Sequence, residues 1–114
     1  MITIDELKQF GANTDEGVAR CMGNEEFYLK LVSTVPGQKE FTVLSDNIAE
    51  GDLSAAFEAA HALKGVLGNL SLTPLYDKVC EITELLRAKT DTDYSELLKQ
   101  ISDLNEELKL ACGK

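Results

Sequence analysis

Residues 53–70 read LSAAFEAAHALKGVLGNL, and this stretch predicts the central helix of the fold. On a helical wheel of about 100° per residue with His61 at zero, one group of apolar side chains falls between roughly 180° and 280°. These side chains are Leu53, Ala56, Ala60, Leu63, Leu67 and Leu70. A stripe of this kind is typical of a helix that buries one face. His61 lies about 130° from the centre of the stripe, so the imidazole is expected to face solvent.

The sequence on both sides of this stretch also has helical spacing of its apolar residues. It predicts four principal helices, at about 38–50, 53–70, 74–89 and 93–111. Short connections favour antiparallel neighbours. Thr3 and Glu6 form a capping-box pattern, and Gly11 would end that first short helix. The expected fold is all-α, an antiparallel four-helix bundle with one or two short extra N-terminal helices, in one domain of residues 1–114.

Composition excludes several classes of function. The net charge of −9 argues against binding to nucleic acid or to an anionic membrane surface. The three cysteines Cys21, Cys80 and Cys112 are far apart, so a disulfide framework or a zinc site is not expected. The N-terminus lacks the apolar core of a signal peptide, and no run of 18 apolar residues could span a membrane. A cytoplasmic protein with reduced thiols is the expectation.

Three residues bracket His61 on the exposed side of the predicted helix. Lys64, Gly65 and Gly68 follow it at three, four and seven positions, which places them on the same surface. Each glycine in a helix interior costs about 1 kcal/mol relative to alanine, so both need a reason. We expect that the missing side chains give a large reaction partner access to the imidazole. For Gly68, close packing of another helix is an alternative reason.

The chemistry of this cluster favours phosphoryl transfer. A solvent-exposed imidazole is largely neutral at pH 7 and is a nucleophile, so attack of Nε2 on phosphorus would give a phosphohistidine. His61 is the candidate phosphoacceptor, and the Lys64 ammonium can offset charge on the phosphoryl oxygens. The sequence has no glycine-rich phosphate loop or kinase motif. We therefore expect a phosphocarrier rather than an enzyme, without an ATP site and without cofactor-binding or metal-binding residues.

Residues 61–65 read HALKG and residues 68–70 read GNL, which resembles the HxLKG…G signature of histidine-containing phosphotransfer (Hpt) domains. Residues 2–32 also resemble the N-terminal part of that family. The resemblance implies a four-helix bundle with an exposed, phosphorylated histidine on an inner helix. It also implies exchange with the phosphoaspartate of a receiver domain, whose own Mg²⁺ and acidic pocket carry out the catalysis. Mg²⁺ is thus expected in the partner only.

The sequence departs from this family pattern at three positions. Ser71 stands where many members have a glycine ten residues after the histidine. Val66 and Leu67 stand where small residues often follow the Lys-Gly pair. None of the three replaces His61 or Lys64, so we expect them to affect the choice of partner more than phosphotransfer itself.

The sequence therefore predicts a phosphorelay intermediate that accepts a phosphoryl group on His61 from one receiver and passes it to another. Its partners would be receiver domains of response regulators, of hybrid histidine kinases, or of both, and a monomer is expected. Three alternatives stay open: a receiver-docking module that is not phosphorylated, the phosphorylatable domain of a chemotaxis-like histidine kinase, and a structural bundle with an incidental histidine. The Met1 start favours a free-standing protein over the second alternative.

Overall fold

The computed structural model describes residues 2–113, and in this range the chain forms seven α-helices and no strand. The helices are α1 (Ile4–Phe10), α2 (Thr14–Arg20), α3 (Glu25–Ser33), α4 (Glu40–Ala49), α5 (Leu53–Asn69), α6 (Thr73–Arg87) and α7 (Ser95–Cys112). The all-helical class predicted from the sequence is confirmed. Each of the four principal helices is present, with both ends within two residues of the predicted bounds.

Three short helices precede these four, so the expectation of one or two is wrong. Each short helix starts at its own capping side chain, which explains why there are three short helices. Thr3 and Glu6 form a reciprocal capping box at the start of α1. The Asn13 side chain accepts a hydrogen bond from the Glu16 amide at 3.2 Å, and Asn24 caps α3 in the same way. The caps at Asn13 and Asn24 divide the N-terminal part into three helices.

Helix α5 lies at the centre of the packing. It packs along both α4 and α6, and α6 also packs against α7. The buried residues of α5 are Ala56, Ala59, Ala60, Leu63 and Leu67. The predicted stripe is therefore buried along its length, apart from the half-buried Leu53 at the start of the helix. Because one face of α5 is in the core, the opposite face with His61 is left to solvent.

The N-terminal helices are tied to the turn between α5 and α6 by three hydrogen bonds. The buried Tyr28 hydroxyl donates to the Leu70 carbonyl at 2.8 Å. The Asn13 amide donates to the Ser71 carbonyl at 3.0 Å. The Ser71 hydroxyl donates to Oε1 of Glu16 at 3.1 Å. Together these bonds hold α2 beside the C-terminal half of α5.

Two further expectations concern thiols and membranes. The three cysteines are free, with Cys21 buried and the other two half-buried. In the part of the chain that the structure describes, every helix is too short or too polar to cross a membrane.

Candidate functional site

Helix α5 presents His61 to solvent. The helix starts at Asp52, whose side chain accepts a hydrogen bond from the Ala55 amide at 3.0 Å. It continues through His61, which is exposed as the helical wheel predicts, and Lys64 lies half-buried one turn further on. No group among residues 2–113 hydrogen-bonds the imidazole. Both ring nitrogens are therefore available to a reaction partner.

Gly65 leaves open space beside the histidine. A β-carbon added there would meet no atom within 4 Å, apart from its chain neighbours and the backbone of α5 itself. Packing within the fold therefore gives no reason for a glycine at this position. This supports the interpretation that Gly65 keeps the approach to His61 clear.

Gly68 has a different environment. A β-carbon at this position would lie 2.9 Å from Cε1 of Tyr76 on α6, which is closer than real contacts allow. The glycine thus lets the Tyr76 ring pack directly on α5, which is the alternative that the sequence left open. Gly68 also borders the same concave surface as His61, so its contribution to access stays a prediction.

A groove of about 540 Å³ runs along the exposed face of α5 between α2 and α6. Its wall residues include His61 and Lys64 from α5, Glu16 and Arg20 from α2, and Tyr76 and Asp77 from α6. His61 thus lies at the edge of a concave surface instead of standing alone on a convex helix. A partner that reaches the imidazole would also meet α2 and α6.

The groove carries charges of both signs. Lys64 and Arg20 are its cations, and Glu16 and Asp77 are anions. Arg20 Nη2 lies 3.1 Å from Glu16 Oε1, but both side chains are about half exposed, so this ion pair adds little to stability. Arg20 therefore remains available to an incoming anion.

Tyr76 contributes a hydroxyl to the groove that stays protonated at neutral pH. A hydrogen bond with the Cys80 thiol is the main cause that raises the pKa of Tyr76, and the nearby Asp77 carboxylate adds to it. The Arg20 charge lowers the same pKa, which places Arg20 within electrostatic reach of Tyr76. Arg20 from α2 and Tyr76 from α6 thus line the groove from its two sides.

The imidazole has one aromatic neighbour. The rings of Phe57 and His61 are stacked, with centroids 5.7 Å apart and planes 21° from parallel. The guanidinium carbon of Arg87, from α6, lies 5.2 Å from the centroid of the Phe57 ring. Arg87 also pairs with Glu84, with 3.2 Å between Nε and Oε2.

Sequence reasoning identified the α5 residues of this site but missed the walls contributed by α2 and α6. The Asn13 cap begins α2, but it does not indicate that α2 lies beside α5. Arg20, Tyr76 and Asp77 fall on ordinary amphipathic helices and carry no local motif. The order of helices around α5 is a tertiary property, so no pattern within one helix could have revealed it.

Comparison with known families agrees with this geometry. The family model described as Hpt domain matches residues 37–111. The chain belongs to the Hpt domain family. Hpt domains are phosphocarrier modules that transfer phosphoryl groups through a histidine in phosphorelays. Comparisons with curated proteins and with solved structures gave no match.

The matched part of this Hpt domain contains α4 to α6 and all of α7 except Cys112, and with them His61, Lys64, Gly65 and Gly68. The wall formed by α2 lies before the matched residues. Helix α5 thus belongs to the family pattern, while one side of the groove comes from a part of the chain that the family match does not include.

Proposed function

We propose that this Hpt domain is a phosphorelay intermediate that accepts a phosphoryl group on His61 from the phosphoaspartate of one receiver domain and passes it to another. The observation that carries the proposal is the exposed imidazole of His61 beside the open space at Gly65. The partners would be receiver domains of response regulators, of hybrid histidine kinases, or of both.

The transfer step follows from the chemistry of imidazole. The Nε2 lone pair of His61 forms a bond to phosphorus while the phosphorus–oxygen bond to the aspartyl carboxylate breaks. The bonding electrons leave with the carboxylate, and the proton on Nδ1 stays on the ring or passes to solvent. The Lys64 ammonium, one helical turn away, offsets negative charge on the phosphoryl oxygens. Return of the group to a second receiver reverses these bond changes.

The catalytic metal and the acidic pocket would belong to the receiver. The only cation next to His61 on α5 is Lys64, which can stabilise charge but cannot replace a Mg²⁺ ion that orients the phosphoryl group. This chain would therefore act as a carrier and co-substrate, without an ATP site or a cofactor of its own.

Finer features of the fold belong to the same proposal. The connections 50–52 and 70–72 are short, which supports an antiparallel arrangement of α4, α5 and α6 in a four-helix bundle. The hydrogen bonds between α2, α3 and the 70–72 turn support a single domain that includes the N-terminal helices. The free thiols and the net charge of −9 are consistent with a cytoplasmic monomer that binds neither nucleic acid nor membrane.

Two other roles are alternatives. A receiver-docking module without phosphorylation would use the groove but would need neither a free imidazole nor the unfilled space at Gly65. The phosphorylatable domain of a chemotaxis-like histidine kinase would have the same site but would take its phosphoryl group from ATP on a kinase domain.

A labelling experiment tests the proposal. The protein is incubated with a ³²P-phosphorylated receiver domain and then with a second, unphosphorylated receiver. We expect an acid-labile, alkali-stable label on the chain, as a phosphohistidine gives, and the sequence has one histidine, His61. The His61→Gln variant should acquire no label, and Glu58→Gln, an exposed change on the same helix, should be labelled as the wild type.

The outcomes separate the alternatives. Label that persists in His61→Gln would identify another acceptor. Binding of the receiver without any label would favour the docking module. Label that comes only from ATP and a kinase domain, and never from a phosphorylated receiver, would favour the chemotaxis-like role.

A further inference from the structure

The orientation of the His61 imidazole depends on a contact within α5. Phe57 precedes His61 by four residues, so the two side chains are neighbours on the helix surface. Their centroid distance of 5.7 Å and interplanar angle of 21° fall in the range of offset-stacked aromatic pairs. Phe57 is half-buried, and its ring is thus held by the fold more firmly than the exposed imidazole.

A stacked ring restrains an imidazole without occupying its nitrogens. An exposed histidine side chain turns freely between rotamers, and phosphoryl transfer requires the attacking nitrogen to point at phosphorus. A hydrogen bond to Nδ1 or Nε2 would also orient the ring, but none is present among residues 2–113. Contact with the face of Phe57 limits rotation about the bond to the ring and uses neither ring nitrogen.

Arg87 connects this pair to the neighbouring helix. Its guanidinium carbon lies 5.2 Å from the Phe57 centroid, within the range of a cation–π contact. Arg87 also pairs with Glu84, one turn earlier on α6, but both side chains are more than half exposed, so this ion pair adds little. The position of the Phe57 ring is therefore set from α6 as well as from α5.

The geometry points to Phe57 as a positioning residue for His61, held in place by Arg87. The stacked Phe57 ring selects the imidazole orientation that is ready for in-line attack on phosphorus. This inference rests on the proposed function, because the orientation of the ring affects a rate only if His61 exchanges the phosphoryl group.

The first test is a spectroscopic readout of the stack in the unphosphorylated protein. The sequence has one histidine, so the imidazole proton signals in a ¹H–¹³C NMR spectrum are assigned without ambiguity. In the wild type these protons should carry a ring-current shift from Phe57. The shift should disappear in Phe57→Leu, which keeps apolar volume, and should remain in Phe57→Tyr, which keeps an aromatic face.

The second test is a single-turnover transfer assay over a range of phosphorylated receiver concentrations. In Phe57→Leu the maximal transfer rate should fall about three- to ten-fold, the factor that an aromatic pair contributes. The receiver concentration at half-maximal rate should stay unchanged. Phe57→Tyr should restore the wild-type rate, and Arg87→Gln should lower it by about two-fold through a looser Phe57 ring. Glu58→Gln serves as the control, since its side chain is exposed on the same helix.

Each outcome decides one question. A wild-type maximal rate in Phe57→Leu would overturn the positioning role, as would an equal loss of rate in Phe57→Tyr. A change confined to the half-maximal concentration would make Phe57 a partner contact and would also overturn it. If the wild-type chain accepts no phosphoryl group at all, the proposed function fails and this inference fails with it. Circular dichroism of each variant confirms that the helices are intact.

Discussion

The two glycines that follow His61 give a matched experiment, because the same substitution should have opposite effects at the two positions. A β-carbon at Gly65 meets no atom within 4 Å, whereas one at Gly68 would lie 2.9 Å from Cε1 of Tyr76. Both glycines are in α5. The difference between Gly65→Ala and Gly68→Ala therefore isolates the packing at each site from the intrinsic preference for alanine in a helix.

The magnitudes follow from these two environments. Gly65→Ala should stabilise the domain by about 0.5–1 kcal/mol, the helix preference of alanine over glycine. Gly68→Ala gains the same preference but must displace the Tyr76 ring, and overpacking of this kind costs roughly 1–3 kcal/mol. Tyr76 is half-buried and can move partly outward, so we expect the lower half of that range. Gly68→Ala should thus be less stable than the wild type by about 0.5–1 kcal/mol.

Thermal and urea unfolding of the two variants measure these differences. For a domain of this size, 1 kcal/mol corresponds to roughly 4 °C in melting temperature. We expect Gly65→Ala to have the highest melting temperature, the wild type an intermediate one and Gly68→Ala the lowest. The double variant of Gly68→Ala with Tyr76→Ala should recover the alanine preference, measured against Tyr76→Ala alone. Equal melting temperatures of the two alanine variants would refute the distinction between open and filled space.

Gly65→Gln extends the experiment from stability to function. The glutamine side chain would stand four residues after His61, within the volume that a docked receiver needs. We expect a melting temperature at or above the wild-type value and a single-turnover transfer rate at least about ten-fold lower, an opposition of stability and function typical of functional sites. A variant that melts several degrees lower, or that transfers at the wild-type rate, would contradict the access role of Gly65.

The other predictions concern the two cations of the groove and one buried tyrosine. Lys64→Ala should slow phosphotransfer without eliminating it, because the metal expected in the receiver would provide most of the catalysis. An unchanged single-turnover rate would remove Lys64 from the site. Arg20→Ala should raise the receiver concentration at half-maximal rate about three-fold with little change in the maximal rate, because Arg20 would contribute to binding of the receiver and not to the transfer step at His61. Titration with phosphorylated receiver checks this. Burial, with a smaller effect of Cys21, raises the pKa of Tyr28 to about 12. Because a tyrosine in the unfolded chain has a pKa near 10, the Tyr28 contribution to stability is complete below about pH 10 and is lost as the pH rises towards 12. Urea unfolding at pH 9 and pH 11 should show this loss in the wild type and a smaller one in Tyr28→Phe.

Local properties of the chain could be predicted from the sequence. The bounds of the four principal helices came within two residues because apolar spacing, the Asp52 cap of α5 and the proline at the start of α6 act within a few positions. The exposure of His61 follows from its angle to the apolar stripe of α5, which depends on helix geometry alone. The open space at Gly65 was expected for the same reason, since a glycine beside an exposed residue also faces outward.

Contacts between distant parts of the chain could not be predicted in this way. At Gly68 the helical wheel predicts the position beside His61. The Tyr76 ring that lies against this glycine comes from α6, and the pattern of α5 alone does not predict it. The same holds for Arg20, which reaches the groove because α2 is tied to the 70–72 turn. In both cases a single helix shows which face is exposed, but the neighbour that comes to that face is set by the packing of the whole domain.

Ser71 shows how one departure from the family pattern acts through such packing. Its φ of 55° lies in the left-handed region, which explains why a glycine suits this position after the end of α5. A residue with a β-carbon costs roughly 1–2 kcal/mol in that conformation. Serine offsets part of this cost because its buried hydroxyl donates to Glu16, a bond that glycine cannot make. Ser71 therefore helps to hold the α2 wall of the groove in place, so we expect this departure to affect the surface that a receiver would meet more than the chemistry of His61.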